Sequence, residues 1–288
     1  MSNVGILIDR LPGLKDPLLI AGFDGWGNAL NVSSGMTAYL ARSLDGYEFG
    51  RLNSDLFYRF DENRPQVTIE GGLLKSISTP GGKFYAIHTG TRQSDLIILR
   101  ADEPNLRWFQ FVDELAGLCQ KTGVKTLITL GSMYDNVLHT DRLISGVVSV
   151  DELIEKLVQK NIRLIDYQGP SAIHSIIQSE LPKHGVACIS LWCHCPYYLQ
   201  GTTHFGLLAH LADVLSFIGD FVVDSANLEL SWKQLEEQIQ HLIDKNPELQ
   251  NMIRELRKAK AKGISSELKT AGNKDDKVIN LKDFLDPK

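Results

Sequence analysis

The chain has 288 residues, of which 43% are apolar and 23% are charged, and its formal net charge is −5. This composition is ordinary for a globular protein and excludes a disordered chain, a collagen-like repeat and a membrane bundle. The small acidic excess gives no reason to expect binding to nucleic acid or to an anionic membrane. Length and composition therefore favour two domains, or one large α/β domain with additions.

The sequence features that report on compartment favour the cytoplasm. The first residues, MSNVGILIDRL, lack the basic start and the long apolar run of a signal peptide. Residues 185–212 contain no Asp, Glu, Lys or Arg, but polar residues interrupt their middle, so we expect a strand, a loop and a helix there and no membrane span. The four cysteines are too sparse for a disulfide framework, which fits a reducing compartment.

Short apolar runs alternate with helical patterns along most of the chain. Several of the runs are continuously apolar, as in strands that are covered on both faces. The predicted strands are residues 4–8, 18–23, 84–88, 96–100, 126–130, 143–148, 163–165 and 186–192. The predicted helices are residues 32–44, 108–121, 150–159, 171–181 and 204–217, with a capping box from Ser149 to Glu152 at the start of the third. This alternation predicts a three-layer α/β sandwich with a mainly parallel or mixed sheet.

Two additions to this core are expected. Residues 52–82 carry short β signals and the paired glycines of tight turns, which predicts an inserted hairpin. After Asp224, a capping box at Ser231 predicts a new amphipathic helix, and Asn246 followed by Pro247 predicts the start of a second one. We thus expect an α/β core at residues 1–225, a C-terminal helical hairpin at 226–260 and a flexible polar tail at 261–288. Residues 279–285 of that tail are apolar enough to dock as a short peptide.

A glycine-rich turn, Gly22-Phe-Asp24-Gly25-Trp26-Gly27, lies between a predicted strand and a predicted helix. Such a turn can present backbone N–H groups and a helix N-terminus to an anion, but its spacing is not that of a dinucleotide or P-loop motif. Two interpretations stay open. The turn is either a tight strand-to-helix corner with Trp26 packed beneath it, or part of an anion-binding cradle.

Polar side chains follow several of the predicted strands. In an open α/β sheet, ligands bind beyond the carboxyl ends of the parallel strands. The candidate ligand-binding residues are therefore Gly22, Asp24, Gly25, Trp26, Gly27, His88, Ser132 and His194. The alternative is that they are ordinary loop residues on both rims of the sheet, because strand order cannot be read from the sequence.

The sequence predicts neither a metal site nor a catalytic set. Cys193, His194 and Cys195 are metal-binding residue types, but in one extended strand the cysteines share a face and the histidine points away. No second ligand pair accompanies them. There is also no nucleophile elbow and no cysteine with an orienting base. We expect no cofactor, no metal and no assigned catalytic residue.

Four segments, in order, resemble the proteasome assembly chaperone 2 family: GFDGWGNALNVSSGMTAYL at residues 22–40, LGSMYDNVLHTDR at 130–142, YQGPSAIHSII at 167–177 and ISLWCHCPYYLQG at 189–201. The resemblance spans about residues 17–260. It implies a phosphorylase-like sandwich and self-association, often as a trimer or a larger assembly. Eukaryotic and archaeal relatives assist the assembly of proteasome α-subunits, and the archaeal ones carry a C-terminal hydrophobic-Tyr-X tail. This chain ends Phe284-Leu-Asp-Pro-Lys288, so docking by such a tail is not expected.

Three hypotheses follow from these observations. The first is a non-enzymatic, oligomeric, chaperone-like protein that binds a protein partner through the helical hairpin and residues 279–285. The second is an enzyme or a binder of a small phosphate-containing or nucleotide ligand, which uses the crevice at the strand ends. The third is a homo-oligomeric scaffold in which the hairpin is buried against a neighbouring subunit.

Overall fold

The computed structural model describes residues 4–90 and 94–261. Within these residues, nine strands form one mixed sheet in the order β1-β3-β6-β7-β2-β8-β11-β9-β10, and β4 and β5 form a separate two-stranded ribbon. The strands are β1 (Ile6–Ile8), β2 (Leu18–Asp24), β3 (Tyr47–Leu52), β4 (Gln66–Glu70), β5 (Leu73–Ser78), β6 (Gly82–Ile87), β7 (Leu96–Asp102), β8 (Thr126–Asp135), β9 (Ile144–Val148), β10 (Arg163–Leu164) and β11 (Ala187–Pro196).

Eight α-helices lie in the described part of the chain. They are α1 (Val32–Ser43), α2 (Ser54–Phe57), α3 (Trp108–Thr122), α4 (Ile154–Gln159), α5 (Ile173–Glu180), α6 (Phe205–Gly219), α7 (Ala226–Lys245) and α8 (Pro247–Ala261). Helices α1, α6, α7 and α8 contribute to the apolar cluster on one face of the sheet, and α3 and α5 contribute to the cluster on the other face. The predicted three-layer α/β architecture with appended C-terminal helices is confirmed.

The centre of the sheet is parallel: β7, β2, β8 and β11 run in the same direction, and β6 and β9 flank them in the opposite direction. The continuous apolar runs of the sequence form these central strands because both of their faces are covered. Leu19 and Ile20 of β2 show the consequence: these neighbours point to opposite faces of the sheet, and both are fully buried.

Strands β8 and β11 extend further than the predicted ends at residues 130 and 192. They pair with each other over ten residues, up to Tyr134 opposite Cys195 and Asp135 opposite Pro196. Each strand supplies the hydrogen-bond partners that hold the polar continuation of the other in the extended state. This mutual support cannot be inferred from either segment alone. Strand β3 was not predicted, because it lies near the edge of the sheet and its residues Tyr47–Leu52 are partly exposed.

Two predicted helix starts are wrong. The hydroxyl of Ser149 accepts a hydrogen bond from the backbone N–H of Cys188 at 2.8 Å and caps no helix. Ser231 lies inside α7, which begins at Ala226, because buried Leu228 extends the apolar face of Trp232 by one turn towards the N-terminus. The predicted start of α8 is confirmed, since the side-chain oxygen of Asn246 accepts from the backbone N–H groups of Glu248 and Leu249.

The apolar face of the C-terminal helices packs within the same chain, with α7 against α6 and α8 against α7. The buried side chains on this face are Leu228, Trp232, Leu235, Ile239, Ile243, Leu249 and Ile253. Full burial of a large apolar side chain contributes about 1.5–3 kcal/mol, so this face stabilises the core. The expectation that the hairpin offers a free apolar docking surface is therefore wrong, because the chain covers that face itself. The domain limits at 225 and 260 remain predictions.

Three further predictions concern the C-terminal tail, the inserted hairpin and a membrane span. The predicted tail and the apolar segment at 279–285 lie outside the described residues. The predicted inserted hairpin is present as β4 and β5, joined by Gly71 and Gly72, whose φ angles of 58° and 79° favour glycine. Among the described helices, none combines the length and the apolar character that a membrane crossing requires.

Candidate functional site

The carboxyl ends of the parallel strands form an acidic rim. Strands β2, β7 and β8 end at Asp24, Asp102 and Asp135. Because these strands are parallel, the three carboxylates lie at the same edge of the sheet, where open α/β proteins bind ligands. The candidate functional site is therefore this rim together with the glycine-rich corner that follows β2.

The corner is held close to α1. A side chain at Gly22 would come within 2.7 Å of the backbone oxygen of Ser33, so only glycine permits this approach. The hydroxyl of Ser33 accepts a hydrogen bond from the N–H of Phe23 at 3.0 Å and donates to the backbone oxygen of Leu130 at 2.6 Å. One buried serine thus joins β2, α1 and β8, and the position of the corner is fixed.

Asn28 occupies the N-terminus of α1. Its side-chain oxygen accepts from the backbone N–H groups of Ser33 and Ser34, at 3.0 and 3.3 Å. Its side-chain amide donates to Asp24 and to the hydroxyl of Ser34. These are the N–H groups that an anion at this helix N-terminus would need, and the chain already satisfies them. The corner is consequently a poor anion cradle.

A cleft of about 420 Å³ lies beside the corner. Its described lining includes four carboxylates and no Lys or Arg, and Trp26 and Trp108 are also among its walls. The acidic residues are Asp24, Glu62, Asp102 and Glu103. Glu62 is ion-paired with Arg59 at 2.7 Å, and the other three carboxylates leave a negative cleft that repels phosphate and favours a cationic group.

Two of these carboxylates also hold the backbone in place. Asp102 accepts from the N–H of Gly81, and Glu103 accepts from the N–H of Ile173, both at 2.8 Å. Burial raises the pKa of Asp102, the N–H of Gly81 opposes this rise, and the nearby negative charge of Asp24 adds to it. No group of three or more His, Cys, Asp or Glu residues that suits a metal ion occurs in the described residues.

A second feature of the rim is a chain of three hydrogen-bonded side chains. The Nδ1 atom of His194 lies 2.8 Å from a carboxylate oxygen of Asp135, and its Nε2 atom lies 2.9 Å from the hydroxyl of Ser145. This is the connectivity of a Ser-His-Asp triad, in which a histidine links a hydroxyl to a carboxylate. It arises because β11 pairs with β8 on one side and with β9 on the other.

The triad-like chain is closed to substrate in this structure. Ser145 is fully buried and His194 is nearly so, so no carbonyl can approach the hydroxyl. A catalytic serine requires access and oxyanion donors beside it. In the present state, the three side chains tie β8, β9 and β11 together. Sequence analysis named His194 but missed Asp135 and Ser145, because no motif links them and only the strand order brings them together.

The structure separates the residues that the sequence grouped into one crevice. His88 lies at the opposite edge of the sheet, because β6 is antiparallel to β7, and its Nδ1 is 3.3 Å from a carboxylate oxygen of Asp95. Ser132 is fully buried and donates to the backbone oxygen of Ala29. Asp24 and His194 do lie at the carboxyl rim, but His194 is below its surface.

The packing expected beneath the corner is also different. One of the two interpretations of the glycine-rich turn places Trp26 beneath the corner, but its side chain is 63% exposed. A side chain at Gly27 would instead meet the rings of Trp192 and His174, at 3.2 and 3.3 Å. Those two rings fill the space under the corner and leave Trp26 on the surface.

The cysteines near the rim belong to the core. Cys193 and Cys195 lie in the apolar cluster that also contains residues of α1 and α6. His194 points to the other face of the sheet, as the alternation of side chains along a strand predicted. Burial raises the pKa of the Cys193 thiol to about 12. These thiols are therefore protonated at neutral pH and contribute to packing.

The fold and the rim together define a three-layer α/β protein with an acidic cleft at the carboxyl ends of its parallel strands. The model of the PAC2 family matches residues 19–243. The chain belongs to the PAC2 family. A search of functionally curated proteins finds no match.

Solved structures agree with this assignment. A PAC2 family protein from Streptomyces avermitilis is 28% identical, with 83% of this chain and 100% of that chain covered and a TM-score of 0.74. A proteasome-assembly chaperone homologue from Mycobacterium tuberculosis is 25% identical, with 82% and 99% covered and a TM-score of 0.71. The archaeal proteasome activator PbaB from Pyrococcus furiosus is 20% identical, with 82% and 97% covered and a TM-score of 0.64, and shares the fold.

Proposed function

We propose that this chain is a chaperone-like protein that binds another protein and performs no chemistry on it. The observation that carries the proposal is the state of the carboxyl rim. Its helix N-terminus is occupied by Asn28, and its serine and histidine are buried. An enzyme of this fold class would present an accessible reactive group at this rim. The cleft beside the corner instead presents carboxylates, and two of them, Asp102 and Glu103, accept hydrogen bonds from backbone N–H groups.

The rim instead offers a surface that suits a protein. Trp26 and Phe109 are 63% and 61% exposed, and Leu106 is also exposed. We call these three side chains and the four carboxylates of the cleft the rim surface. Exposed aromatic side chains are enriched in protein interfaces, and the carboxylates add a charge preference. The rim surface therefore fits a partner segment that carries both apolar and basic side chains.

The relatives suggest the partner class. The Mycobacterium tuberculosis structure is described as a proteasome-assembly chaperone homologue. We infer that the partner of this chain is a subunit of a proteasome-type assembly, or of another ring assembly built from similar subunits. We also infer that the chain works in the cytoplasm and as a homo-oligomer, as the family resemblance implies.

Affinity capture tests the protein-binding role. The full chain, immobilised and exposed to lysate of its native host, should retain a specific protein identified by mass spectrometry, and proteasome-type subunits are the expected class. The Trp26→Ala/Phe109→Ala variant should lose at least tenfold of that protein. Val222→Ala is the control, because Val222 is similarly exposed but lies on the segment between α6 and α7. Retention of the same partner by the rim variant would contradict the assignment of the rim surface.

A ligand screen tests the competing function. The second hypothesis required an anionic ligand at the glycine corner, and the four carboxylates beside that corner oppose it. We expect phosphate, nucleotides and phosphorylated metabolites to leave the thermal midpoint unchanged. A ligand at 100 times its dissociation constant would stabilise the fold by about 2.7 kcal/mol, which thermal unfolding detects readily. A reproducible shift would restore the small-ligand hypothesis.

A further inference from the structure

A groove of about 690 Å³ runs beside the N-terminal half of helix α7, on the side that faces solvent. One wall is the segment between β8 and β9, which contributes Thr140 and Arg142. The other wall is α7 itself, and its lining residues are Ala226, Glu229, Leu230, Trp232, Lys233 and Glu236. We call this site the α7 groove. Its volume is in the range of sites that enclose a ligand, which is roughly 300–1,000 Å³.

The side chains of the α7 groove favour an apolar occupant without net charge. Leu230 is a large apolar side chain and is 61% exposed, and the indole of Trp232 forms part of the same wall. The lining has two basic and two acidic residues. One pair is already neutralised, because the guanidinium of Arg142 donates to both carboxylate oxygens of Glu229. The α7 groove therefore differs from the acidic rim surface, which favours a basic segment.

Helix α8 brings the chain to the edge of the α7 groove. Lys260, in the last turn of α8, is ion-paired with Asp141. Asp141 lies between Thr140 and Arg142 in the chain, so its Cα atom is about 3.8 Å from each of theirs, and both of these neighbours line the groove. The chain consequently leaves α8 beside one wall of the groove.

The sequence that follows α8 contains a matching occupant. Residues 279–285 lie outside the described residues, and four of these seven have large apolar side chains: Ile279, Leu281, Phe284 and Leu285. One Lys and one Asp give the segment a formal net charge of zero. Residues 262–278 connect it to α8 and can span up to about 60 Å, twice the roughly 30 Å length of α7. We propose that residues 279–285 dock in the α7 groove of the same chain.

Covalent connection makes a small contact sufficient. A segment tethered to its own groove has an effective concentration of about 1 mM, so an intrinsic dissociation constant of about 0.1 mM fills the groove in roughly nine of ten molecules. A separate chain at micromolar concentration would have to bind far more tightly to compete. The docked segment covers Leu230 and withholds its own four apolar side chains from other proteins, which makes the contact autoinhibitory.

Disulfide trapping in the full chain tests the proposal. All four native cysteines are buried, so an introduced pair supplies the exposed thiols. Lys233→Cys/Lys282→Cys places one thiol in the α7 groove and one in the segment, and oxidised glutathione should close a disulfide within one chain. The matched control, Lys245→Cys/Lys282→Cys, removes the same charges but has its first thiol about 18 Å further along α7. The control should close at least tenfold more slowly.

Substitutions in the segment distinguish docking from random encounter of the two thiols. Leu281→Lys/Phe284→Lys, added to the Lys233→Cys/Lys282→Cys chain, should slow closure at least tenfold, because the apolar side chains are lost. Ser265→Lys/Thr270→Lys adds the same charge to the connecting residues and should leave the rate unchanged. The thermal midpoint of each reduced variant, measured in parallel, verifies that it is folded.

Three results would overturn the proposal. Equal closure rates for the two cysteine pairs would leave the groove free for a partner protein. Covalent dimers that form faster at higher protein concentration would assign the groove to a second copy of the chain. An unchanged rate in the Leu281→Lys/Phe284→Lys variant would show that the apolar side chains do not dock. The inference does not rest on the rim surface, so partner capture by Trp26→Ala/Phe109→Ala is a separate result.

Discussion

Helix α7 and the β4–β5 ribbon are both amphipathic additions to the α/β core, but the chain covers the apolar face of only one of them. Helix α7 places Leu228, Trp232 and Ile239 on the core of its own chain, and all three are buried. The β4–β5 ribbon places Ile69 and Leu74 in solvent. An apolar face that the same chain covers contributes to folding, whereas a face left exposed by a folded chain is available to another molecule. Exposure, and not amphipathicity alone, therefore distinguishes the region that stabilises the fold from the region that stays available to another molecule.

Acid should destabilise the fold through histidines that are buried in their neutral form, and two of these lie beside Trp232 of α7. The imidazole of His204 stacks on Trp232 with 4.5 Å between ring centroids. Burial lowers the pKa of His204 to about 3 and that of His139, beside the same indole, to about 4. The unfolded chain binds these protons near pH 6.5, so the free energy of unfolding should fall steadily as the pH drops from 6.5 to about 4.

Denaturant unfolding at a series of pH values measures this effect, which we expect to exceed that of any single substitution below. His204→Asn keeps an N-cap acceptor for the N–H of Leu207 and removes one titrating ring. The slope of stability against pH should become shallower in this variant. An unchanged slope would show that His204 is not buried in its neutral form.

Among the single substitutions, removal of the Trp232 indole should lower the free energy of unfolding most. Trp232→Ala leaves a cavity between α6 and α7 and should reduce the free energy of unfolding by about 3–5 kcal/mol. Urea unfolding followed by circular dichroism measures the loss. A loss below about 1 kcal/mol would mean that α7 does not pack on the core as described.

Breaking the hydrogen-bonded chain of Ser145, His194 and Asp135 should lower the free energy of unfolding by an intermediate amount. Ser145→Ala leaves Nε2 of His194 without its partner in a buried position, which should cost about 1–3 kcal/mol. Ser76→Ala, on the exposed ribbon, is the control and should stay within about 0.5 kcal/mol.

The reactivity of Ser145 distinguishes a structural role of this hydrogen-bonded chain from a catalytic one. A fluorophosphonate probe should label neither the wild type nor Ser145→Ala, because the hydroxyl is buried. Stoichiometric labelling of the wild type that disappears in Ser145→Ala would show that the rim opens and that the triad-like chain reacts.

The smallest effect on stability should come from the ribbon. Ile69→Ala should change the free energy of unfolding of the monomer by less than about 0.5 kcal/mol, because the side chain is 62% exposed. This measurement belongs at low concentration, where self-association does not contribute. A large loss would place Ile69 in the core of its own chain and remove the contrast with α7.

The sequence predicted the layers better than the site. Buried strands such as β2 are recognisable from their continuous apolar runs, and Asn246 with Pro247 predicted the start of α8 correctly. The grouping of His88 with Asp24 was wrong, because the direction of β6 depends on which strand it pairs with and no local signal encodes that pairing. The link from His194 to Asp135 and Ser145 has the same origin, since three strands distant in sequence become neighbours only in the folded sheet. Trp26 was misplaced because its burial depends on Trp192 and His174, which fill the space first.

Amide hydrogen exchange tests the contrast between helix α7 and the β4–β5 ribbon most directly. Amides of α7 should exchange slowly, because its apolar face is buried, whereas amides of β4 and β5, whose residues are all exposed, should exchange much faster. Equally slow exchange of the ribbon and of α7 would contradict the account, because the ribbon would then be part of the stable core.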